Sequence, residues 1–241
     1  MDSVEIEPGV YVTNERCLLL KNEETVVIGD LHLGYEKALE DDGMYIPRVN
    51  TDSVRASINR ILSKYEPKRV VLLGDIKHDF KRVKYEGKED VKLIINLISE
   101  AAEVVVVKGN HDNYIQNIVA ELGIEAVDYV DIAGYRLEHG HVDSGIRPVV
   151  IGHEHPSVRI PGAFSGGMKI QCFVHMRKEG VIVIPPFSFL SSGNDLSASH
   201  PETFMSSACK SCDVGDAELF GVTELGILPL GKLADISLIR I

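Results

Sequence analysis

Three pairs of polar residues in the sequence are each separated by a single residue. They are Asp30 and His32, His139 and His141, and His153 and His155. In an extended segment, side chains two residues apart point to the same side. Asp75 and Asn110 add two oxygen donors. Carboxylates, imidazoles and an amide, without a thiolate, favour Mn²⁺, Fe²⁺/Fe³⁺, Co²⁺ or Zn²⁺ in a reactive site over a structural zinc site.

The number of these donors indicates more than one metal ion. One ion takes roughly four to six ligands, and the set supplies seven or eight. Two ions bridged by one carboxylate are therefore the economical interpretation. The alternative is that these are scattered surface histidines and turn aspartates. The clustering of six of the nine histidines in matching positions speaks against it.

Strands and helices must bring these residues together. Four apolar runs, rich in Val, Ile and Leu, each end in glycine followed by a polar residue: 26–30, 71–75, 105–110 and 149–153. Such runs are typical of buried strands. Helical patterns lie between the first three. One contains Val54, Ile58, Ile61 and Leu62 after a cap at Thr51 or Asp52, and the other contains Val91, Ile94, Ile95 and Ile98. This order predicts βαβ units, with Asp30, Asp75, Asn110 and His153 at the carboxyl ends of the strands.

The rest of the chain predicts a second sheet. The first 25 residues indicate a strand or hairpin at the sheet edge, with a turn near Asn14 and Glu15. Short strands are predicted at 124–137, 157–160, 168–175, 180–184, 219–223 and 226–230. With few helices between them, they favour a mostly antiparallel sheet stacked on the first. Residues 191–213, rich in Ser, Asn, Asp, Ala and Gly, are predicted to form an exposed loop. We expect one domain over residues 1–241.

Composition limits the classes of function. The chain has 241 residues and a formal net charge of −11, which disfavours a non-specific nucleic-acid coat or a membrane-surface binder. No long apolar run predicts a membrane span, and the acidic N-terminus has no secretory signal, so we expect a cytoplasmic protein. Cys17 and Cys172 are predicted to be inert buried thiols. Cys209 and Cys212 form a lone CxxC, which does not support a zinc ribbon and leaves a redox pair as the lesser alternative.

The ordered motifs resemble a known family. Gly29-Asp30-Leu31-His32, Gly74-Asp75, Gly109-Asn110-His111-Asp112, His139-Gly140-His141 and Gly152-His153-Glu154-His155 follow the order of the calcineurin-like metallophosphoesterase signature. The resemblance covers residues 26 to about 156. It implies an α/β fold, a four-layer α/β/β/α sandwich of the metallophosphoesterase type. It also implies two divalent metal ions, with manganese as the first expectation and iron, cobalt, zinc or nickel as alternatives.

The resemblance also implies residue roles. Asp30, His32 and His155 would hold the first metal; Asn110, His139 and His153 would hold the second; Asp75 would bridge them. His111 would be the catalytic imidazole, with Asp112 orienting it. The family pattern favours His139 over His141 as the ligand and leaves His141 facing the substrate.

Within the family, 30–34 and His78 look most like the SbcD-type DNA repair nucleases, which carry a histidine near the scissile phosphate where this chain has His78. Residues 183–187 and 193–195 resemble, more loosely, the small archaeal SbcD-related phosphoesterases and the ligase-associated endonuclease PdeM. The chain lacks the length for the additional DNA-capping domain of SbcD.

These features predict a dinuclear phosphoesterase that cleaves phosphodiesters by attack of a metal-bridging hydroxide, with His111 assisting the leaving group and His78 and His141 donating to phosphate oxygens. The expected substrate is a small phosphodiester or a nucleic-acid end, without an extended nucleic-acid surface or a membrane partner. Alternatives are an SbcD-like nuclease and a phosphomonoesterase or nucleotide hydrolase. A non-catalytic scaffold, like the retromer subunit that shares the fold, is the alternative from another class.

Three further features receive structural interpretations. The basic concentration at Lys77, Lys81, Arg82, Lys84 and Lys88 is interpreted as a solvated loop, with a substrate-steering rim as the alternative. His175 and His200 are interpreted as structural or surface residues. Phe187 and Phe189 are expected to be core anchors, and the absence of Trp weakens a base-stacking surface.

Overall fold

The computed structural model describes residues 1–41, 43–44, 49–78, 85–160, 167–191, 193–198 and 201–238. The strands in these ranges are β1 (Ser3–Glu7), β2 (Val10–Thr13), β3 (Leu18–Leu20), β4 (Thr25–Ile28), β5 (Arg69–Leu73), β6 (Glu103–Val107), β7 (Ala126–Val127), β8 (Tyr129–Ile132), β9 (Tyr135–Glu138), β10 (Val149–Ile151), β11 (Pro156–Ile160), β12 (Met168–Met176), β13 (Val181–Val183), β14 (Asn194–Asp195), β15 (Glu218–Thr223) and β16 (Gly226–Lys232). The α-helices are α1 (Tyr35–Asp41), α2 (Asn50–Tyr65), α3 (Tyr85–Ser99), α4 (Ile115–Val119), α5 (Ser207–Lys210) and α6 (Leu233–Leu238). Short 3₁₀ helices span Lys21–Glu23, Ala120–Leu122, Leu196–Ala198, Pro201–Thr203 and Val214–Asp216.

The first sheet places the strand-end motifs along one edge. Its order is β1-β2-β3-β4-β5-β6-β7, with β1 to β4 antiparallel and β4 to β7 parallel. Ile28 pairs with Leu72, and Leu73 pairs with Val107, so these three strands leave the sheet in register. The βαβ prediction is confirmed, and the predicted N-terminal hairpin is a three-stranded antiparallel extension of this sheet.

The second sheet has the order β14-β11-β12-β13-β10-β9-β8, and β15 and β16 branch from β12. Most pairings are antiparallel, as predicted, but β10 lies between two parallel neighbours, β9 and β13. Parallel pairing of β9 and β10 has a consequence for the site. Because both strands run the same way, the histidines that follow them emerge at the same edge of the sheet.

One strand that was predicted for the second sheet belongs to the first. Within the 124–137 segment, Ala126–Val127 pairs with β6 in the first sheet rather than joining the second. The two residues continue the parallel order directly beside β6. The second sheet begins only at Tyr129.

The two sheets face each other across one of three apolar cores. Successive residues of a strand point to opposite faces, and Val27, Val71 and Val107 turn inward to meet Phe173 and Ile182 of the second sheet. The outer face of the first sheet packs on α2, α3 and α4. The outer face of the second sheet packs on α5 and α6. This is the predicted four-layer α/β/β/α sandwich.

The start of α2 differs from the predicted cap. The helix begins at Asn50, and the preceding residue, Val49, makes no capping hydrogen bond; the Glu36 carboxylate accepts the backbone N–H of Asn50 instead. Neither Thr51 nor Asp52 caps the helix. Asn50 is fully buried, and its side chain is bonded to a neighbouring loop instead, as described below.

The prediction of an exposed loop at 191–213 is wrong over much of its length. Leu196, Phe204, Ala208 and Cys209 are buried in the outer core of the second sheet. These apolar residues are separated by small polar ones, so no local periodicity marks them. Cys209 is a buried free thiol and Cys212 a half-buried one, while Cys17 and Cys172 are buried free thiols as expected.

No helix among the described residues is long and apolar enough to cross a membrane.

Candidate metal centre

The backbone at the ends of β4, β5 and β10 adopts a conformation that is costly outside glycine. Asp30, His32, Asp75, His153 and His155 have φ values of 57°, 47°, 48°, 63° and 48°. Non-glycine residues in this left-handed region carry strain, which structures keep mainly at functional sites. Among the residues that the structure describes, half of the ten non-glycine residues with positive φ are predicted metal ligands. The fold therefore stores strain where these side chains converge.

Asp30, His32 and His155 form the first cluster. The Nε2 atoms of His32 and His155 are 3.2 Å apart, and His155 Nε2 is 3.2 Å from Asp30 Oδ1. Asp30 is fully buried, and its carboxylate also accepts the backbone N–H of His153, at 3.1 Å from Oδ2. Three donor atoms thus converge on one point, in a geometry that a single cation would satisfy.

Asp75, His139 and His153 form the second cluster, beside the first. His139 Nε2 is 3.4 Å from Asp75 Oδ2 and 3.1 Å from Asn110 Oδ1. The other ring nitrogen of His139, Nδ1, lies 3.9 Å from Asp30 Oδ1, so the clusters adjoin. The structure therefore brings together all seven residues predicted as metal ligands.

Two of the imidazoles are held so that Nε2 faces the centre. His139 Nδ1 lies 3.1 Å from the carbonyl oxygen of Leu73, and His155 Nδ1 lies 3.0 Å from Ser191 Oγ. In metal sites the second ring nitrogen of a ligating histidine usually has such a partner, which fixes the tautomer. Each ring is therefore oriented with Nε2 toward the place where a cation would bind.

The pKa values of the clustered side chains are shifted by burial and by their charged neighbours. Burial lowers the pKa of His32 and of His153 to about 4, so both rings are neutral at pH 7. Burial opposes ionisation of Asp75, but its hydrogen bonds with His139 and with the backbone N–H of His111 and its attraction to both imidazoles together hold the pKa of Asp75 well below its usual range. For His139 itself burial favours the neutral form, yet Asp75 and Asp30 raise its pKa to about 9. Without a metal, His139 therefore keeps a proton that a divalent ion would displace on binding. Carboxylates and imidazoles, without a thiolate, suit a pair of divalent metal ions.

His111 and His78 lie beside the first cluster. The ring centroid of His32 is 5.5 Å from that of His111 and 5.4 Å from that of His78. His111 Nδ1 is 2.7 Å from the backbone oxygen of His78, which turns Nε2 toward Asp75 Oδ2, at 3.9 Å. His141 is more exposed, with its ring 5.4 Å from that of His139.

Asp112 is buried beneath the His111 loop. Its carboxylate accepts the backbone N–H groups of Gly109, Ile76 and Lys77 at 2.8, 3.0 and 3.2 Å. Burial raises the pKa of Asp112 to about 6. These contacts join the loops after β5 and β6, whereas the His111 ring is oriented by the His78 carbonyl.

The comparison with known families decides the class of protein. Calcineurin-like phosphoesterases match this chain over residues 24–160. The chain belongs to the calcineurin-like phosphoesterase family. It is therefore a hydrolase that acts on phosphoester bonds, in a family that uses a dinuclear divalent metal centre.

The comparison with solved structures shows the same fold in one neighbour, a nuclease. The nuclease MPE of Pseudomonas putida has a TM-score of 0.67 and 20% sequence identity, over 95% of this chain and 98% of that one. YfcE, a phosphoesterase from E. coli, has a TM-score of 0.39 and 15% identity, over 88% of this chain and 94% of that one. No curated protein sequence matches the chain. The SbcD-type and PdeM-type resemblances within the family stay predictions.

Sequence reasoning missed the residues that hold the predicted ligands of this phosphoesterase in place. Asn50 Nδ2 donates to the carbonyl oxygens of Leu31 and His32 at 3.2 and 3.3 Å, and Asn50 Oδ1 accepts from Ser188 Oγ at 3.2 Å. Ser191 contacts His155, as above. Tyr35 lies with its ring centroid 4.0 Å from that of His78. Because α2 and the 187–191 segment are distant in sequence from the loops they support, no local motif marks them.

The five basic residues that follow Asp75 do not share one environment. Lys77 is 2% exposed, and its Nζ donates to the backbone oxygen of His111, so neither a solvated loop nor a rim describes it. Lys88 pairs with Glu121. Lys81, Arg82 and Lys84 lie outside the described residues.

The other side chains predicted to have structural roles are two histidines, His175 and His200, and two phenylalanines, Phe187 and Phe189. His175 is 3% exposed, with Nε2 3.3 Å from Glu7 Oε1, as expected of a structural residue. Phe187 is buried, but Phe189 is 43% exposed, so the expectation of a core anchor is wrong for Phe189. His200 lies outside the described residues.

Replacement of Gly152 by alanine should disrupt the first cluster. A Cβ at this position would lie 2.6 Å from Asp30 Oδ2, closer than van der Waals contact allows, so Asp30 must shift. We expect at least a tenfold loss of metal affinity, measured by titration of the metal-free protein with Mn²⁺, on the scale reported for displaced supporting groups. Gly123→Ala is the control, because it strains a positive φ with nothing within 4 Å of the new Cβ. Unchanged affinity in Gly152→Ala would contradict the site geometry.

Glu154 lies between two predicted ligands, His153 and His155, and should affect metal binding by holding their loop in place. It is 1% exposed, and its carboxylate accepts Asn194 Nδ2 and the backbone N–H of Ser206, both at 2.7 Å. Glu154→Gln replaces one acceptor oxygen by a donor and should weaken metal binding about tenfold. Glu103→Gln, at an exposed surface pair with Arg69, should leave metal affinity unchanged. If the two variants bind metal with equal affinity, the hydrogen bonds of the Glu154 carboxylate are not needed for metal binding.

Proposed function

We propose that the chain is a dinuclear phosphodiesterase. The proposal is supported chiefly by two adjoining clusters of three ligands, Asp30-His32-His155 and Asp75-His139-His153, at the carboxyl edges of both sheets. We assign the first metal to Asp30, His32 and His155, the second to Asn110, His139 and His153, and the bridging role to Asp75. Manganese is the expected metal, with iron, cobalt, zinc and nickel as alternatives, because the donor set is oxygen and imidazole.

When bound, a pair of divalent ions supplies Lewis acidity and a water of lowered pKa, near about 7. The chain's own residues provide the rest of the chemistry. His111 donates its Nδ1–H to the His78 carbonyl, so the doubly protonated ring would carry its second proton on Nε2, the atom that can pass it to a departing alkoxide. His78 and His141 are assigned as donors to phosphate oxygens. Asp112 is assigned as the residue that positions the His111 loop.

A direct assay separates diesterase activity from the alternatives. Metal-free protein, reconstituted with Mn²⁺, is assayed on bis-p-nitrophenyl phosphate, p-nitrophenyl phosphate, cyclic nucleotides, and single- and double-stranded DNA. We expect hydrolysis of the diester, lost with a chelator and restored by Mn²⁺. Activity on the monoester alone would overturn the diesterase preference. If the protein binds metal but is inactive with manganese, iron, cobalt, zinc and nickel alike, the scaffold alternative is favoured.

Cleavage of a nucleic-acid end is the second candidate. The position of His78, with its ring 5.5 Å from that of His111, favours it, because an added imidazole beside the proton donor suits a substrate with flanking phosphates. The Pseudomonas putida neighbour is a nuclease, which makes DNA a substrate worth testing. Cleavage of DNA without hydrolysis of small diesters would favour this candidate.

We also propose a single domain that works in the cytoplasm. The four free cysteines suit a reducing compartment.

A further inference from the structure

A groove of about 870 Å³ lies beside the candidate metal centre, separate from the ligand clusters. Residues of the turn between β2 and β3, of β12 and of the segment after β13 line it. Those that carry the argument are Arg16, Lys169, Gln171, Phe189 and Ser191. Its volume lies within the range of about 300–1,000 Å³ that is usual for small-molecule sites.

A chain of hydrogen bonds connects this groove with the metal centre. Arg16 Nε donates to Gln171 Oε1 at 2.7 Å, and Gln171 Nε2 donates to the backbone oxygen of Ser191 at 2.9 Å. Ser191 Oγ is 3.0 Å from Nδ1 of His155. The groove therefore adjoins a predicted metal ligand, His155, through Ser191.

Arg16 and Phe189 form a planar, cationic surface in the groove. The guanidinium carbon of Arg16 lies 4.6 Å from the centroid of the Phe189 ring, which is 43% exposed. Arg16 has a φ of 58°, so its position is held against backbone strain. An exposed aromatic ring beside a guanidinium is a surface on which a nucleobase stacks.

The charges in the groove favour an anion. Glu15 is paired with Arg60, at 3.2 Å. Within the described part of the chain, no carboxylate lies within salt-bridge distance of Arg16, and its partners are Gln171 and Phe189. Lys169 Nζ donates to the backbone oxygen of Gly193 at 2.6 Å and adds positive charge. Glu15 and Glu224 also line the groove, so three cations, Arg16, Arg60 and Lys169, face two carboxylates there. The charge of the groove is therefore positive in a chain with a net charge of −11.

We propose that this groove binds the nucleotide next to the scissile phosphate of a single-stranded nucleic-acid substrate. The base stacks on Phe189, and the flanking phosphate lies against Arg16, with Lys169 nearby. The inference rests on the proposed phosphodiesterase function and assigns its substrate class. Such a groove would allow an acidic protein to bind a polyanionic substrate, because only a short segment of the nucleic acid contacts the protein.

Binding can be measured apart from turnover. Tetrathymidylate is titrated into the full-length chain in the presence of a chelator, and the dissociation constant is measured by calorimetry at low salt. We expect Phe189→Leu, which keeps apolar volume but removes the ring, and Arg16→Gln each to weaken binding about tenfold. Circular dichroism melting of each variant verifies that it is folded.

Two matched variants serve as controls. Tyr11 also lies beneath a cation, with Lys21 Nζ 5.4 Å from its ring centroid, but outside the groove. Arg55 pairs with Asp52 on α2. Tyr11→Leu and Arg55→Gln should bind tetrathymidylate as the parent does.

The outcomes separate this proposal from the function on which it rests. Failure of the parent protein to bind tetrathymidylate, or equal binding by the groove variants and the controls, would overturn the groove proposal. If bis-p-nitrophenyl phosphate is nevertheless hydrolysed, the phosphodiesterase proposal stands. Groove-dependent binding by a protein that hydrolyses no phosphodiester with any metal would overturn the function and leave the groove as a binding site.

Discussion

Replacement of His111 by alanine should lower kcat on bis-p-nitrophenyl phosphate by about 10²–10⁴-fold, while the protein still binds two metal ions. The range is that expected for loss of a general acid. The structure separates His111 from the ligands, because its side chain meets the His78 carbonyl at 2.7 Å and stays 3.9 Å from the Asp75 carboxylate. Steady-state kinetics and elemental analysis of the same sample measure both quantities.

Added imidazole provides the control for His111→Ala. If the ring acts through proton transfer, imidazole diffusing into the vacated space should restore part of kcat and leave metal content unchanged. A variant that loses its metal together with its activity would instead place His111 among the ligands. Full activity in the variant would remove it from the mechanism.

Replacement of Asp75 by asparagine should lower activity by about 10³-fold or more. A metal pair contributes several kcal/mol to the transition state, and 1.36 kcal/mol corresponds to one factor of ten. Asp75 is 2% exposed, accepts the His111 N–H at 2.9 Å and faces His139 Nε2 at 3.4 Å. Its charge therefore acts on both the second cluster and the catalytic loop.

Metal content gives the second readout for Asp75→Asn. We expect the bound metal to fall below two ions per chain, because the bridging charge is lost. The matched control is Asp128→Asn, at an exposed aspartate that pairs with Lys108, which should keep both metal and activity. Two tightly bound ions in Asp75→Asn would contradict the bridging role.

Much of the site could be predicted because its ligands follow strand ends. A buried apolar run, a glycine and a polar residue are contiguous in sequence, and parallel strands in register carry their ends to one edge. Asp30, Asp75 and Asn110 required only this reasoning. The family resemblance then separated His139 from His141, which spacing alone left equivalent.

The supporting residues could not be predicted, because their contacts are not local. Ser188 and Asn50 are 138 residues apart, and Ser191 and His155 are 36 apart. Phe187 and Phe189 were indistinguishable in an irregular segment after two prolines, where no periodicity assigns a face. The prediction of an exposed loop at 191–213 failed for a related reason. Leu196, Phe204 and Cys209 are separated by small polar residues, and such a composition is typical of a loop.

Anomalous diffraction from a crystal grown with Mn²⁺ tests the central claim most directly. The account predicts two peaks of comparable height, about 3.5–4 Å apart, one against Asp30, His32 and His155 and the other against Asn110, His139 and His153, with Asp75 between them. A single peak, or manganese bound away from these residues, would contradict the dinuclear centre.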